Sequence, residues 1–300
     1  MKNFKLASIT AAALLFSSVA VASDMYIDLG TNSYDMGRGV GTPDANTRTA
    51  AFNEFGFSQL LATSIYDYSD GSIFGAFFDT NDIPTLTGLG LPASGTALDG
   101  VSNVNLVLPN CPAGQCDIDA LSPLVPPLGS DNEGYLQTWD MQMVYTLNGT
   151  LTAAGGPQYT SGTIDIFFND LNDDTNDRLI LTFSVTGSDI MAANLNLYFD
   201  ITYAEAGFLW IDNGSGTFVD ASAGIASGNY ARVVLDTNVN PPIPTNDQLL
   251  LVGTNAIRQA TLDGSMTASV PEPASLTMLG LGLLGLAGVG RRQRKNKSNA

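Results

Sequence analysis

The sequence predicts an all-β protein, an antiparallel β-sandwich of the jelly-roll type, over residues 23–269. Apolar and polar residues alternate with period two far more often than they recur with the helical period of 3.6. The alternating runs are short, rich in β-branched and aromatic residues, and bounded by Gly, Asn, Asp or Pro. Such runs, separated by turn residues, are typical of antiparallel sheets that pack face to face.

The first 22 residues predict a cleavable secretory signal peptide. Lys2 and Lys5 precede an apolar run over residues 6–21, and Ala20 and Ala22 provide the small residues of a cleavage site. A retained membrane anchor is the alternative, but the run is short for a bilayer span. We therefore expect export across the inner membrane and a mature chain that begins near Ser23.

The composition of residues 23–269 excludes several classes of function. This segment holds 28 acidic residues against five Arg, a formal charge of −23, and it contains neither Lys nor His. Without His there is no Ser-His-Asp triad and no His-ligated metal, and without Lys there is no Schiff base. Nucleic acid is not expected as a partner, because its binding depends on basic residues that neutralise phosphates.

Individual strands can be placed along this segment. Two runs carry every second residue on one face, which we expect to be buried: Met141, Met143, Tyr145 and Leu147 in the first, Ile164, Ile166 and Phe168 in the second. Further strands are predicted within residues 178–187, 195–204, 207–212, 231–236 and 248–253. Residues 87–103 and 121–134 are rich in Gly and Pro and predict loops or weak strands.

The two cysteines, Cys111 and Cys116, lie in a Pro- and Gly-containing stretch with four residues between them. In an oxidising exterior such a pair predicts a local disulfide. A zinc site is the weaker interpretation, because two sulfurs without His fall short of four ligands.

One acidic loop, residues 169–177, joins two predicted strands and is the candidate metal site. Asp170, Asn172 and Asp174 follow the order of the first three ligands of an EF-hand, and Asp177 adds a further carboxylate. The sixth and twelfth positions of that motif are not matched, so the loop is not an EF-hand. A solvated acidic turn is the simpler interpretation, and calcium is the candidate cofactor here. Weaker acidic turns are predicted at Asp67, Asp70, Asp79, Asp82 and Asp212.

Sugar contact and glycoside hydrolysis are the other functions that the residues permit. Aromatic side chains that could stack on sugar rings are Trp139, Trp210, Tyr66, Tyr68 and Tyr198, of which the pair Tyr66 and Tyr68 has the most exposed setting. Trp210 and Tyr198 are better explained by core or cross-strand packing. A glycosidase needs two carboxylates that flank one cleft. Acids are abundant but lie in no recognisable motif, so we expect a protein that is not an enzyme.

The C-terminus combines three features in order. Pro271-Glu272-Pro273 is followed by an uncharged run over residues 274–290, and then by a basic cluster that begins at Arg291 and Arg292. The run is long enough for one short transmembrane helix in the precursor, and the basic flank places its end in the cytoplasm. A plain tail anchor is the alternative explanation.

Residues 270–295 resemble the PEP-CTERM sorting signal of Gram-negative bacteria. The resemblance implies that an exosortase recognises Pro271, Glu272 and Pro273, and that Arg291 and Arg292 retain the precursor in the membrane. It also implies a location at the cell surface or in the extracellular matrix, after transient anchoring. Residues 235–265 are similar to proteins linked with floc or biofilm formation.

The expected function is therefore a non-catalytic structural or adhesive role in exopolysaccharide, biofilm or floc formation. Extracellular polysaccharide is the expected partner besides the exosortase. An extracellular carbohydrate-binding module and a carboxylate-dependent glycosidase are the alternatives.

Overall fold

The computed structural model confirms an antiparallel all-β protein with two short helices. It describes residues 22–35, 46–90, 122–123, 133–135, 138–191, 194–228, 231–239 and 241–270. The predicted signal peptide up to residue 21, the cysteine pair and the C-terminal signal beyond residue 270 lie outside these ranges. No helix within them has the length and apolar character needed to cross a membrane.

The described part of the chain contains thirteen strands, two α-helices and two single turns of 3-10 helix, Asp174–Asn176 and Asn246–Gln248. The strands are β1 Met25–Ile27, β2 Phe55–Asp67, β3 Gly75–Thr80, β4 Ser122–Pro123, β5 Trp139–Thr152, β6 Gly156–Asp170, β7 Arg178–Met191, β8 Asn194–Ala204, β9 Leu209–Asp212, β10 Phe218–Asp220, β11 Arg232–Asn238, β12 Leu250–Val252 and β13 Asn255–Ser269. The helices are α1 Ile83–Gly88 and α2 Ala221–Ala226. Asp82 caps α1 by accepting a hydrogen bond from the backbone N–H of Thr85, and Pro84 stands in its first turn.

The main sheet closes on itself. Its strands follow the order β13-β11-β8-β7-β6-β5-β3-β2, and β2 pairs in turn with β13, so eight antiparallel strands form a ring. The closing pair runs from Asn255 opposite Asp67 to Met266 opposite Phe55, with a bulge between Ala260 and Leu262. Closure gives the sheet an inner face with no free edge along these eight strands.

Alternation along the strands fills the interior. The residues predicted to share buried faces are all buried: Met141, Met143, Tyr145, Leu147, Ile164, Ile166 and Phe168. They join one hydrophobic core with side chains from β2, β7, β8, β11 and β13. The predicted strands within residues 178–187, 195–204, 207–212, 231–236 and 248–253 all overlap observed strands.

The two ends of the ring are formed by different parts of the chain. At the first, Trp139 pairs with Asp170 and Arg232 pairs with Ser269, and the backbone N–H of Ser23 donates to the carbonyl of Ala268 (2.8 Å). We call this the terminal end, because both ends of the predicted mature domain meet there. The opposite end carries the β5–β6 turn after Thr152 and is called the hairpin end.

A small antiparallel sheet packs at the terminal end. Its strand order is β1-β9-β10, with Tyr26 opposite Trp210 and Asp220 also opposite Trp210 on the other side. Met25 and Ile27 point into the core, whereas Tyr26 between them lies on the opposite, partly exposed face. The small sheet therefore buries one face and presents the other to solvent.

Candidate functional site

The acidic loop between β6 and β7 is organised around Asp170. One carboxylate oxygen accepts hydrogen bonds from the backbone N–H groups of Asn172 (2.9 Å) and Asp173 (3.2 Å). The other accepts from the Tyr34 hydroxyl (3.0 Å) and the Asn176 amide (2.8 Å). Burial tends to raise the pKa of Asp170, but these hydrogen bonds outweigh it and hold the pKa below its usual value.

The other predicted calcium ligands take different positions in this loop. Asp177 accepts a hydrogen bond from the backbone N–H of Asp170 (2.8 Å), whereas Asn172 enters through its backbone. The side chain of Asp174 lies outside the described part of the structure. Across the described residues, no group of three acidic or sulfur ligands is placed to hold a metal ion. Calcium at residues 169–177 stays a prediction.

Most of the weaker acidic sites are turns closed by their own side chains. Asp67 and Asp70 accept from the backbone N–H groups of Ser69 and Ser72, in the turn between β2 and β3. Asp212 likewise accepts from Gly214. These are Asx turns, which Asp forms readily because its carboxylate reaches the backbone two residues on.

Asp79 departs from this pattern, and its assignment to an acidic turn is wrong. It lies on β3 and faces the interior of the ring, where its side chain is buried. Its cross-strand partner on β2 is Ser64, whose partner on β13 is Arg258. The three residues therefore form one row across three neighbouring strands, with Ser64 in the middle.

The Asp79 carboxylate is only partly satisfied by protein groups. Its Oδ2 accepts a hydrogen bond from the Tyr159 hydroxyl, whereas its buried Oδ1 has no hydrogen bond of normal geometry among the described residues, although the Ser64 hydroxyl is near enough to lower the pKa of the carboxyl group. Burial removes water from the charged form and raises the pKa of Asp79 to about 6, against the lowering effects of Tyr159, Ser64 and Arg258. Burial and the nearby Asp79 charge likewise raise the pKa of Tyr159 well above its usual value.

Arg258 brings the opposite charge to the same interior. Only 4% of its surface is exposed, although guanidinium groups are seldom buried without partners. Burial raises the pKa of the neighbouring Tyr66 to about 12, against the lowering effect of the Arg258 guanidinium. Arg258 also attracts the Asp79 carboxylate, but the two do not form one of the close ion pairs found in the described part of the chain.

These groups line a cavity inside the ring, toward the hairpin end. Its volume is about 60 Å³, enough for several water molecules at roughly 10–15 Å³ each. Most of the wall is apolar, with Leu197 and Leu235 among its residues, and Asp79 is the only carboxylate that the described residues contribute to the lining. The cavity thus combines an apolar wall with one acidic and one basic group.

A second feature lies on the exposed face of the small sheet. The rings of Tyr26 and Trp210 are stacked, with centroids 5.8 Å apart and planes 11° from parallel. Phe218 from the third strand lies 4.8 Å from the Tyr26 ring, and the Arg48 guanidinium lies 5.2 Å above it. Tyr26, Trp210 and Phe218, each half-buried, are called the aromatic strip.

The other aromatic candidates differ in how far they are buried. Trp139 is fully buried and donates through its ring N–H to the carbonyl of Glu133 (2.8 Å). Tyr66 is buried in the cavity, so the expected exposure is wrong for this residue, whereas Tyr68 is partly exposed and packs against the core. Tyr198 is partly exposed and donates to Asp189 (2.8 Å). For Trp210, cross-strand packing against Tyr26 is confirmed.

Sequence reasoning missed both the row in the cavity and the full aromatic strip. Asp79 and Arg258 are far apart in the chain, and only the pairing of β2 with both β3 and β13 brings them together. Arg258 did carry one usable signal. It occurs between apolar neighbours, Ile257 and Ala260 among them, in a segment with period-two alternation.

Comparison with known proteins identifies the C-terminus. Residues 269–295 match the PEP-CTERM protein-sorting motif. The match contains Pro271, Glu272 and Pro273 together with Arg291 and Arg292, which lie beyond the described residues. Neither the curated proteins nor the solved structures gave a match. The chain therefore carries the sorting motif of an exported protein that an exosortase processes, and the comparison assigns no activity to the domain before it.

Proposed function

We propose that this protein acts without catalysis at the cell surface or in the extracellular matrix, where it holds polysaccharide through the aromatic strip. The sorting motif accounts for export and processing by an exosortase. The adhesive role, in biofilm or floc formation, rests on the surface of the domain itself.

The aromatic strip is the observation that carries this proposal. Aromatic rings have an apolar face and, in Tyr and Trp, a polar edge, which together suit the alternating apolar and hydroxyl surfaces of a sugar ring. Three such rings from adjacent strands, Tyr26, Trp210 and Phe218, form a continuous half-exposed surface. Asp28 and Arg48 form an ion pair beside it (3.2 Å) and offer hydrogen-bonding groups for hydroxyls.

The arrangement of carboxylates favours binding over hydrolysis. A glycosidase places two carboxyl groups on either side of the scissile bond, about 5–9.5 Å apart. The lining of the interior cavity includes one carboxylate, Asp79, and Tyr159 is hydrogen-bonded to it. Among the described residues, the cavity lining therefore lacks the second carboxylate that this mechanism needs.

Binding to the exopolysaccharide of the producing cell tests the proposal. We expect Trp210→Ala to weaken retention on an affinity column of that polysaccharide by roughly tenfold, because a central stacking surface is lost. Tyr203→Ala is the matched control, since Tyr203 is an exposed aromatic on β8 outside the strip. Thermal unfolding of both variants checks that the fold is intact. Equal retention of the two variants would contradict the proposed role of the strip.

A further inference from the structure

The interior cavity contains two opposite charges that the protein does not pair closely with each other. Asp79 is 9% exposed and Arg258 is 4% exposed, and both line the same space. Removing a charge from water is costly unless another group replaces the lost hydrogen bonds. Asp79 Oδ1 lacks such a group among the described residues. Apart from the nearby Ser64 hydroxyl, the described residues therefore supply no donor for this oxygen.

The spacing of the row limits which ligands can supply a donor to Asp79. Asp79 and Arg258 lie on strands separated by β2, so their backbones are about 10 Å apart, two strand spacings. Ser64 between them has a short side chain and leaves room in the middle of the row. A ligand that reaches both groups needs a donor at one end and an acceptor at the other, because carboxylates only accept and guanidinium groups only donate.

We propose that the cavity is a binding site for a small zwitterion of the α-amino-acid class, with its ammonium group at Asp79 and its carboxylate at Arg258. A zwitterion matches each buried charge with its opposite and adds no net charge to the interior. Charge-assisted hydrogen bonds of this kind are roughly twice as strong as neutral ones. This inference is independent of the proposed polysaccharide contact, which involves the outer face of the small sheet.

The size of the cavity selects among such ligands. A volume of about 60 Å³ suits a ligand of a few non-hydrogen atoms, since one water molecule needs roughly 10–15 Å³ on the same measure. Free glycine and alanine are of this size, whereas free phenylalanine is about twice as large. The wall around Leu197 and Leu235 is apolar and accepts a hydrogen atom or a methyl group.

Calorimetric titration of the purified full-length protein with amino acids tests the site. We expect glycine and alanine to bind. Phenylalanine, which is too large, and acetate and methylammonium, which each lack one of the two charges, should bind at least about tenfold more weakly. Glycerol, which offers donors and acceptors without charge, is included for the same comparison. Absence of glycine and alanine binding would overturn the proposal, as would glycerol binding as tightly as alanine.

Variants locate the site. Asp79→Asn and Arg258→Gln should each weaken alanine binding roughly tenfold or more, because each removes one charged hydrogen-bonding partner. The matched controls are Glu205→Gln and Arg178→Gln, which neutralise the partners of an ion pair outside both the cavity and the aromatic strip. Leu235→Phe fills the cavity without altering a charge and should therefore abolish binding. This variant still tests the site if Arg258→Gln does not fold. Retained affinity in Asp79→Asn or Leu235→Phe would overturn the proposal.

Discussion

Asp79 shows how a single residue can acquire properties that its neighbours in sequence do not suggest. It stands two residues before Asn81 and three before Asp82, in a stretch that predicts an acidic turn. In the fold it is the last residue but one of β3 and faces the interior, where burial raises its pKa to about 6. Its neighbour Asp82 instead caps α1, a role that Asp commonly takes at the start of a helix.

The raised pKa of Asp79 predicts a specific dependence of stability on pH. An Asp in the unfolded chain has a pKa near 4, so between about pH 4 and 6 the folded state binds more protons than the unfolded state. The contribution of Asp79 to the free energy of unfolding therefore falls as pH rises through this window. A difference of about two pKa units corresponds to a loss of about 3 kcal/mol at pH 7.

Asp79→Asn removes this titration. We expect the variant to gain stability relative to the natural protein as pH rises from 4 to 7, by up to about 3 kcal/mol. Urea unfolding of both proteins at several pH values measures the difference, in which the contributions of the other carboxylates cancel. A difference that does not change with pH would mean that Asp79 titrates normally in the folded state.

The separation of paired strands along the chain decides which parts of the fold the sequence could predict. From β5 to β8 the chain forms successive hairpins, so the alternation of Met141, Met143 and Tyr145 is enough to identify a strand and its buried face. The pairing of β2 has no comparable signal in the sequence, because its long partner β13 follows almost two hundred residues later. The closure of the sheet, and with it the cavity row, depends on that one distant pairing.

Closure also depends on a glycine whose role is invisible in the sequence. Gly264 on β13 lies between β11 and the ring of Phe57. A methyl group at this position would lie 2.1 Å from the carbonyl oxygen of Asp236 and 2.7 Å from the Phe57 ring. Such distances require the backbone of β11 or β13 to move.

Gly264→Ala should therefore destabilise the fold by about 2–4 kcal/mol, since overpacking against backbone cannot be relieved by a rotamer change. Gly187→Ala is the matched control, because Gly187 also lies in a strand of the ring and a methyl group there meets no atom within 4 Å among the described residues. Chemical unfolding of the two variants gives the comparison. Similar stabilities would contradict the close approach of β11 and β13 at this point.

At the scale of the whole molecule, the chain termini and the aromatic strip lie at one end of the ring, and the cavity lies toward the other. Ser23 and Ala268 are hydrogen-bonded neighbours at the terminal end, and the sorting motif begins at residue 269. The aromatic strip lies on the small sheet at this same end, whereas the cavity row lies toward the hairpin end. Any attachment through the C-terminus leaves the hairpin end as the part of the domain farthest from it.

The charge of the domain is also a property of the whole. Arg258 is buried in the cavity, and the close ion pairs of the described residues join Arg48 to Asp28 and Arg178 to Glu205. Few basic groups remain to balance the other acidic side chains of a segment with formal charge −23. Self-repulsion of this kind destabilises a compact state and is weakened by salt.

Thermal unfolding in increasing salt tests whether self-repulsion of the acidic side chains destabilises the domain. Raising NaCl from low concentration to about 0.5 M should raise the unfolding midpoint by about 4 °C, the equivalent of roughly 1–2 kcal/mol for a domain of this size. A constant or falling midpoint would contradict dominant self-repulsion.

At equal ionic strength, calcium binding at residues 169–177 would add a further rise by mass action. Asp170→Ala should abolish that further rise, whereas Asp247→Ala, which removes the same charge from an exposed turn, should retain it.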